Sequence, residues 1–106
     1  MPRVELLWWK GCPSYERALE ELRSTMAQEG LDPDTVELRE IDTDGAATTD
    51  SFVGSPTIRI DGHDVQPPLE DASVALTCRV YRLRDGRYSP TPDPHDVRDA
   101  LRAERS

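Results

Sequence analysis

Two thiols are the strongest chemical candidates in this 106-residue chain: Cys12 and Cys78, 66 positions apart. Cys12 stands in Trp8-Trp9-Lys10-Gly11-Cys12-Pro13-Ser14-Tyr15, between an apolar run and a helical pattern. That context places it at the N-cap of a helix, with Pro13 at the first helical position. Unpaired N–H groups and the helix dipole put about half a positive charge there, which favours thiolate over thiol and makes a cysteine nucleophilic at neutral pH. The plain alternative is a small buried hydrophobe. No C-x-x-C pair exists, because Tyr15 occupies the third position after Cys12. A local redox disulfide, a structural zinc site and an iron–sulfur cluster therefore all lack their ligand pattern.

Cys78 opens the run Cys78-Arg79-Val80-Tyr81-Arg82-Leu83. Brought beside the start of the helix, it can resolve a sulfenic acid or mixed disulfide on Cys12, or share a soft metal ion with it. Facing the core, it is only a buried thiol. The two-thiol readings need Cα atoms about 4.4 to 6.8 Å apart. The segment from Gln66 to Thr77 is long for a compact domain, and we expect it to fold over the Cys12 end of the sheet and deliver Cys78 there. Arg79, Arg82, Arg84 and Arg87 with Tyr81 and Tyr88 read as a solvated face. His63 and His95 stand alone without ligands at metal spacing, and Glu16, Glu20 and Glu21 are the wet side of a helix.

The elements that must position these residues follow from periodicity. Val4 to Trp9 is a short apolar run broken only by Glu5, the pattern of a strand buried on both faces. Tyr15, Ala18, Leu19, Leu22 and Met26 fall at helical spacing, so an amphipathic helix runs to near Gly30. Thr35 to Ile41 alternates with period two and gives a second strand, which makes strand, helix and strand one right-handed parallel crossover. A short helix is expected between Asp42 and Phe52. Ile58 and Ile60 alternate ahead of Asp61-Gly62, a two-residue hairpin signal. Cys78 to Leu83 reads as a further strand-like run closed by Asp85-Gly86, and Asp93 caps a last helix with Pro94 at its first position.

Composition bounds the partners. With 13 basic and 21 acidic residues the net charge is −8, which opposes phosphate backbones and anionic membrane surfaces, so neither nucleic acid nor membrane is expected. No run approaches a membrane span and no leader pattern starts the chain, so the expected location is cytoplasmic. Leu, Ile, Val and Phe total 21 of 106 residues, close to the composition of disordered chains. Their clustering between Gly, Pro and Asp argues instead for one compact domain over residues 1–106. Twelve Arg against one Lys suggests a GC-rich coding sequence.

Trp8 to Tyr15 resembles the active-site turn of thioredoxins and glutaredoxins, and Gly54-Ser55-Pro56-Thr57 resembles their cis-proline segment. The order of elements is similar over roughly residues 3–65 and again at the last helix. The resemblance implies an α/β thioredoxin-like fold: a mixed sheet of about four strands, flanking helices, and a cis-proline before the β-hairpin. It implies Cys12 as nucleophile and Pro56 as the cis-proline, with Ser55 and Thr57, and beside Cys12 also Pro13 and Ser14, on the substrate side; Cys78 stays a candidate resolving thiol on its position alone, since the family's second cysteine is replaced by Tyr15. The activity implied is thiol–disulfide exchange or mixed-disulfide formation with a small thiol or a protein disulfide, without a cofactor. The Gly-Gly-Cys-Asp-like segment that binds glutathione in glutaredoxins is missing. Small chains with a similar Gly-Cys-Pro-Ser turn and a later Cys-Arg-x-Tyr are labelled alkylmercury lyases. That likeness sustains the other reading, a non-catalytic binding module in which Cys12 and Cys78 hold a soft metal or metalloid ion.

Overall fold

The computed structural model describes residues 2–67 and 74–105. Strand β1 (Val4–Trp8) carries apolar side chains on both faces and lies inside the sheet, as a two-sided hydrophobic run must. It pairs in parallel with β2 (Glu37–Glu40) and antiparallel with β3 (Thr57–Ile60), and β3 turns back into β4 (His63–Asp64). The order is β2-β1-β3-β4, a four-stranded mixed sheet. At the β3–β4 turn Asp61 and Gly62 both have positive φ, +50° and +84°, the backbone of a tight hairpin and the reason for Asp-Gly there.

Helices cover both faces. Helix α1 (Ser14–Gln28) turns Ala18, Leu22 and Met26 inward, and α3 (Pro94–Arg105) adds Val97 and Leu101. They pack with Val4, Leu6, Ile58 and Ile60 into one core cluster. Helix α2 (Asp44–Thr49), capped by the Thr43 side chain accepting from Ala46 N, places Ala47 on the other face with Leu7, Ile41 and Phe52. Each large side chain buried in this way is worth about 1.5 to 3 kcal/mol, which is how a chain of low apolar content holds a fold. Glu5, only 4 % exposed, points to the α2 face, where Arg39 Nη1 reaches it at 2.9 Å and Arg39 Nη2 reaches Asp50 at 2.6 Å.

The fold is thus mixed α/β with a four-stranded sheet and flanking helices, as the periodicities lead one to expect. Two elements differ in extent. Thr35 closes a 3-10 turn (Pro33–Thr35), because Asp32 caps that turn through Asp34 N, and β2 starts only at Glu37. The expected strand from Cys78 to Leu83 shrinks to β5 (Tyr81–Arg82), which pairs with β6 (Tyr88–Ser89) as a separate two-stranded hairpin. Cys78 itself is attached to Ser55 by a single parallel bridge. Of the Gln66–Thr77 loop, residues 68–73 lie outside the described residues.

Asp93 ties this second hairpin to α3. Its Oδ1 accepts from His95 N and its Oδ2 from Arg84 N, both at 2.9 Å. The Arg84 N–H first, and then the His95 N–H, hold the carboxyl below its ordinary value. A depressed folded pKa contributes stability that is complete above the unfolded value of about 3.9 and is lost as the pH falls through the folded value. Asp93→Ala is therefore expected to cost about 1 to 2 kcal/mol at pH 7 and to flatten the decline of stability below about pH 4. Urea unfolding at a series of pH values checks this, and an unchanged slope in the variant would contradict it.

Candidate thiol site

The first wall of the site is the turn between β1 and α1. Cys12 N donates to Trp9 O at 3.0 Å, so Cys12 belongs to this turn, and the N-cap of α1 is Pro13, already in helical backbone geometry. The expected N-cap position of Cys12 is corrected by one residue. Pro13 offers no side-chain cap, so the electropositive helix end beside Cys12 has no side-chain acceptor at its cap. Trp8 and Tyr15 bracket the turn, their rings stacked with centroids 4.3 Å apart.

The second wall is the approach to β3. The Ser55–Pro56 peptide bond is cis. Ser55 is fully buried; its Oγ accepts from Trp9 N at 3.0 Å, and its carbonyl oxygen lies 3.6 Å from Cys12 Sγ. Thr57 Oγ1, also buried, donates to Gly54 O at 2.6 Å.

The third wall is the chain returning from the long loop. Ala75 N donates to Phe52 O, Ser55 N to Thr77 O, and Arg79 N to Ser55 O, at 2.8 to 3.0 Å. Leu76 packs on the Leu7–Phe52 cluster. The segment so held brings Cys78 to Cys12: their Cα atoms are 5.4 Å apart and the two sulfurs form a disulfide. The pair is asymmetric, since Cys12 is 1 % exposed whereas Cys78 is exposed.

Side chains alternate along this segment. Cys78, Val80 and Arg82 are exposed, while Arg79 and Tyr81 turn inward. The reading of Arg79 and Tyr81 as part of a solvated face is overturned. Tyr81 is fully buried and its hydroxyl donates to Pro56 O at 2.5 Å. Burial raises its phenol well above the ordinary value, with Arg79 acting in the opposite direction. The Arg79 side chain is 9 % exposed and meets Asp64 Oδ2 at 2.6 Å. It also donates to Gln66 O and to Thr57 Oγ1 and lies over the Tyr81 ring, 4.4 Å from its centroid. Arg82, Arg84 and Arg87 are exposed.

Cys12, Cys78, Ser55, Pro56 and Thr57 are thus gathered at one end of the sheet. Pro13 follows Cys12 on the exposed side and Ser14 opens α1 half-buried. His63 is exposed on β4 and His95 exposed in the first turn of α3. Among the described residues no group of three or more His, Cys, Asp or Glu side chains is arranged to hold a metal ion, and no helix is long and apolar enough to cross a membrane. Set against known proteins, the chain matches no family model, no curated protein and no solved structure.

Proposed function

We propose that the chain is a thioredoxin-like thiol–disulfide exchange protein whose redox couple is Cys12 and Cys78. The observation that carries this reading is the juxtaposition of the two cysteines at the N-terminal end of α1, with Cα atoms 5.4 Å apart, across 66 residues of sequence. The β1–α1–β2 crossover followed by a hairpin, and the Ser55–Pro56 segment against Cys12, support the thioredoxin-like comparison. In the reduced protein the Cys12 thiolate, favoured by the helix end, attacks one sulfur of a disulfide RSSR and expels RS⁻. Cys78, deprotonated, then attacks Cys12 Sγ, expels the second RS⁻ and closes the intramolecular bond. One substrate disulfide is reduced to two thiols, and the protein gives up two electrons.

The test is a stoichiometry and a rate. Reduced protein mixed with hydroxyethyl disulfide should release two thiols per chain, and Cys78→Ser should release one and retain the adduct on Cys12. Cys12→Ser should lose rapid exchange, and His63→Ala should keep it. A Cys12 thiol that titrates near the ordinary value of about 8.5 and reacts no faster than free cysteine removes the proposal.

The same two thiolates, reduced, suit a thiophilic ion that accepts two sulfur ligands, which keeps the binding-module reading alive for mercuric ion. That reading requires a mercuric-ion affinity that Cys78→Ser abolishes.

A further inference from the structure

The disulfide does not hold Cys78 in place by itself. Residue 79 is gripped by five groups that contain no sulfur. Its guanidinium pairs with Asp64 of β4 and donates to Gln66 O and to Thr57 Oγ1 of β3, and its plane covers the Tyr81 ring. Its backbone N–H donates to Ser55 O at 2.8 Å. Both charged side chains are largely shielded, 9 % exposed for Arg79 and 12 % for Asp64, and Asp64 is itself fixed by accepting from Gln66 N at 2.9 Å. At this depth a charge pair is weakly screened, and freeing one partner leaves the other desolvated and unpaired.

We infer that Arg79 is a positioning residue: it clamps the Thr77–Arg79 segment onto Ser55 whether or not the disulfide is formed, so that reduced Cys78 stays against Cys12. The consequence is thermodynamic. Closing the bond consumes one glutathione disulfide and the two protein thiols and yields two glutathiones. The position of that equilibrium measures the effective concentration of one cysteine at the other. A clamped Cys78 loses little freedom on closure, whereas an unclamped one must be ordered first. Because bond formation and clamping favour the same arrangement, each supports the other by the same factor. The inference rests on the Cys12–Cys78 couple proposed above, though not on any turnover of substrate.

The experiment equilibrates the full chain with mixtures of glutathione and glutathione disulfide, traps the thiols by alkylation and counts oxidised against reduced protein by mass. Arg79→Ala should lower the oxidised-to-reduced ratio at least tenfold at a fixed mixture. Arg79→Lys, which keeps the charge beside Asp64 and gives up the forked bonds, should recover part of it. The melting temperature should fall further for Arg79→Ala in the oxidised protein than in the reduced one, because a bond that closes less readily in the folded variant stabilises that fold less. A residue that merely supports the fold would lower both alike. Should Arg79→Ala fail to fold, Asp64→Asn takes its place, with a decrease of about threefold or more expected. A folded Arg79→Ala protein whose ratio stays within twofold of the parent overturns the clamp, and an unshifted Asp64→Asn does so where the alanine variant is unfolded. If the parent chain forms no Cys12–Cys78 bond at any mixture, the exchange proposal falls. If it forms the bond and the ratios shift but no hydroxyethyl disulfide is turned over, exchange falls and the clamp stands.

Discussion

Replacing both cysteines by serine is expected to lower the unfolding free energy by about 4 kcal/mol relative to the oxidised protein. The Cys12–Cys78 bond closes a loop spanning 66 residues of sequence, which contains α1, β2, α2, β3 and β4. An unfolded chain cross-linked over that distance loses much of its conformational freedom, and the chain-entropy relation gives about 4 kcal/mol for a loop of this size. The native state changes little, because the Ser55 bridge and the bonds of Arg79 hold the same segment without sulfur. For a domain of this length the difference corresponds to a melting temperature lower by on the order of 20 °C. Urea unfolding of the oxidised protein beside Cys12→Ser/Cys78→Ser measures it. A difference under about 1 kcal/mol would mean that the denatured chain is not the open ensemble the relation assumes.

Gly54→Ala should be the most damaging small substitution near the sulfurs, costing more than about 2 kcal/mol. Two causes act together. Gly54 has φ +144°, a backbone conformation that costs an L-residue about 1 to 3 kcal/mol. In addition, a Cβ there would sit 2.8 Å from Arg79 Cβ and 3.1 Å from Arg79 Cα. Backbone cannot yield as a flexible side-chain tip does, so the Thr77–Arg79 segment must move off Ser55 and carry Cys78 with it. Gly62→Ala is the control, since Gly62 also has positive φ, +84°, but a Cβ there meets nothing within 4 Å. It isolates the backbone cost, about 1 kcal/mol. The gap between the two variants, read by denaturant unfolding, reports the close approach. Equal losses would show that the approach is not needed.

Much of this arrangement was legible in the residues because burial writes a period. Val4–Trp8 had to be inside the sheet, and Ala18, Leu22 and Met26 had to share a helix face. The span of the Gln66–Thr77 loop allowed Cys78 to reach Cys12. Arg79 was illegible for a physical reason: a guanidinium reads as surface unless a buried carboxylate receives it, and Asp64 stands fifteen residues away. The available signal was parity. Arg79 and Tyr81 share a face in an extended run, so a buried Tyr81 carries Arg79 inward with it. The start of α1 was misplaced by one residue because a proline after a candidate cap reads as the first helical position, whereas Pro13 is itself the cap.

The sheet order leaves β2 and β4 as its outer strands, and outer strands govern whether a protein recruits copies of itself. An unpaired strand edge is a template for another chain, and length, flatness and apolar character make it dangerous. Here β4 is two residues long, and β2 reads Glu37-Leu38-Arg39-Glu40, with Leu38 its one apolar side chain. Stacking a second copy edge to edge on β2 in full antiparallel register would set Glu37 against Glu40 twice, like charge on like, and Leu38 against Arg39, for little apolar gain. Concentrated solutions of the folded protein should accordingly resist growth of β-fibrils, with colloidal behaviour set by the charge of −8.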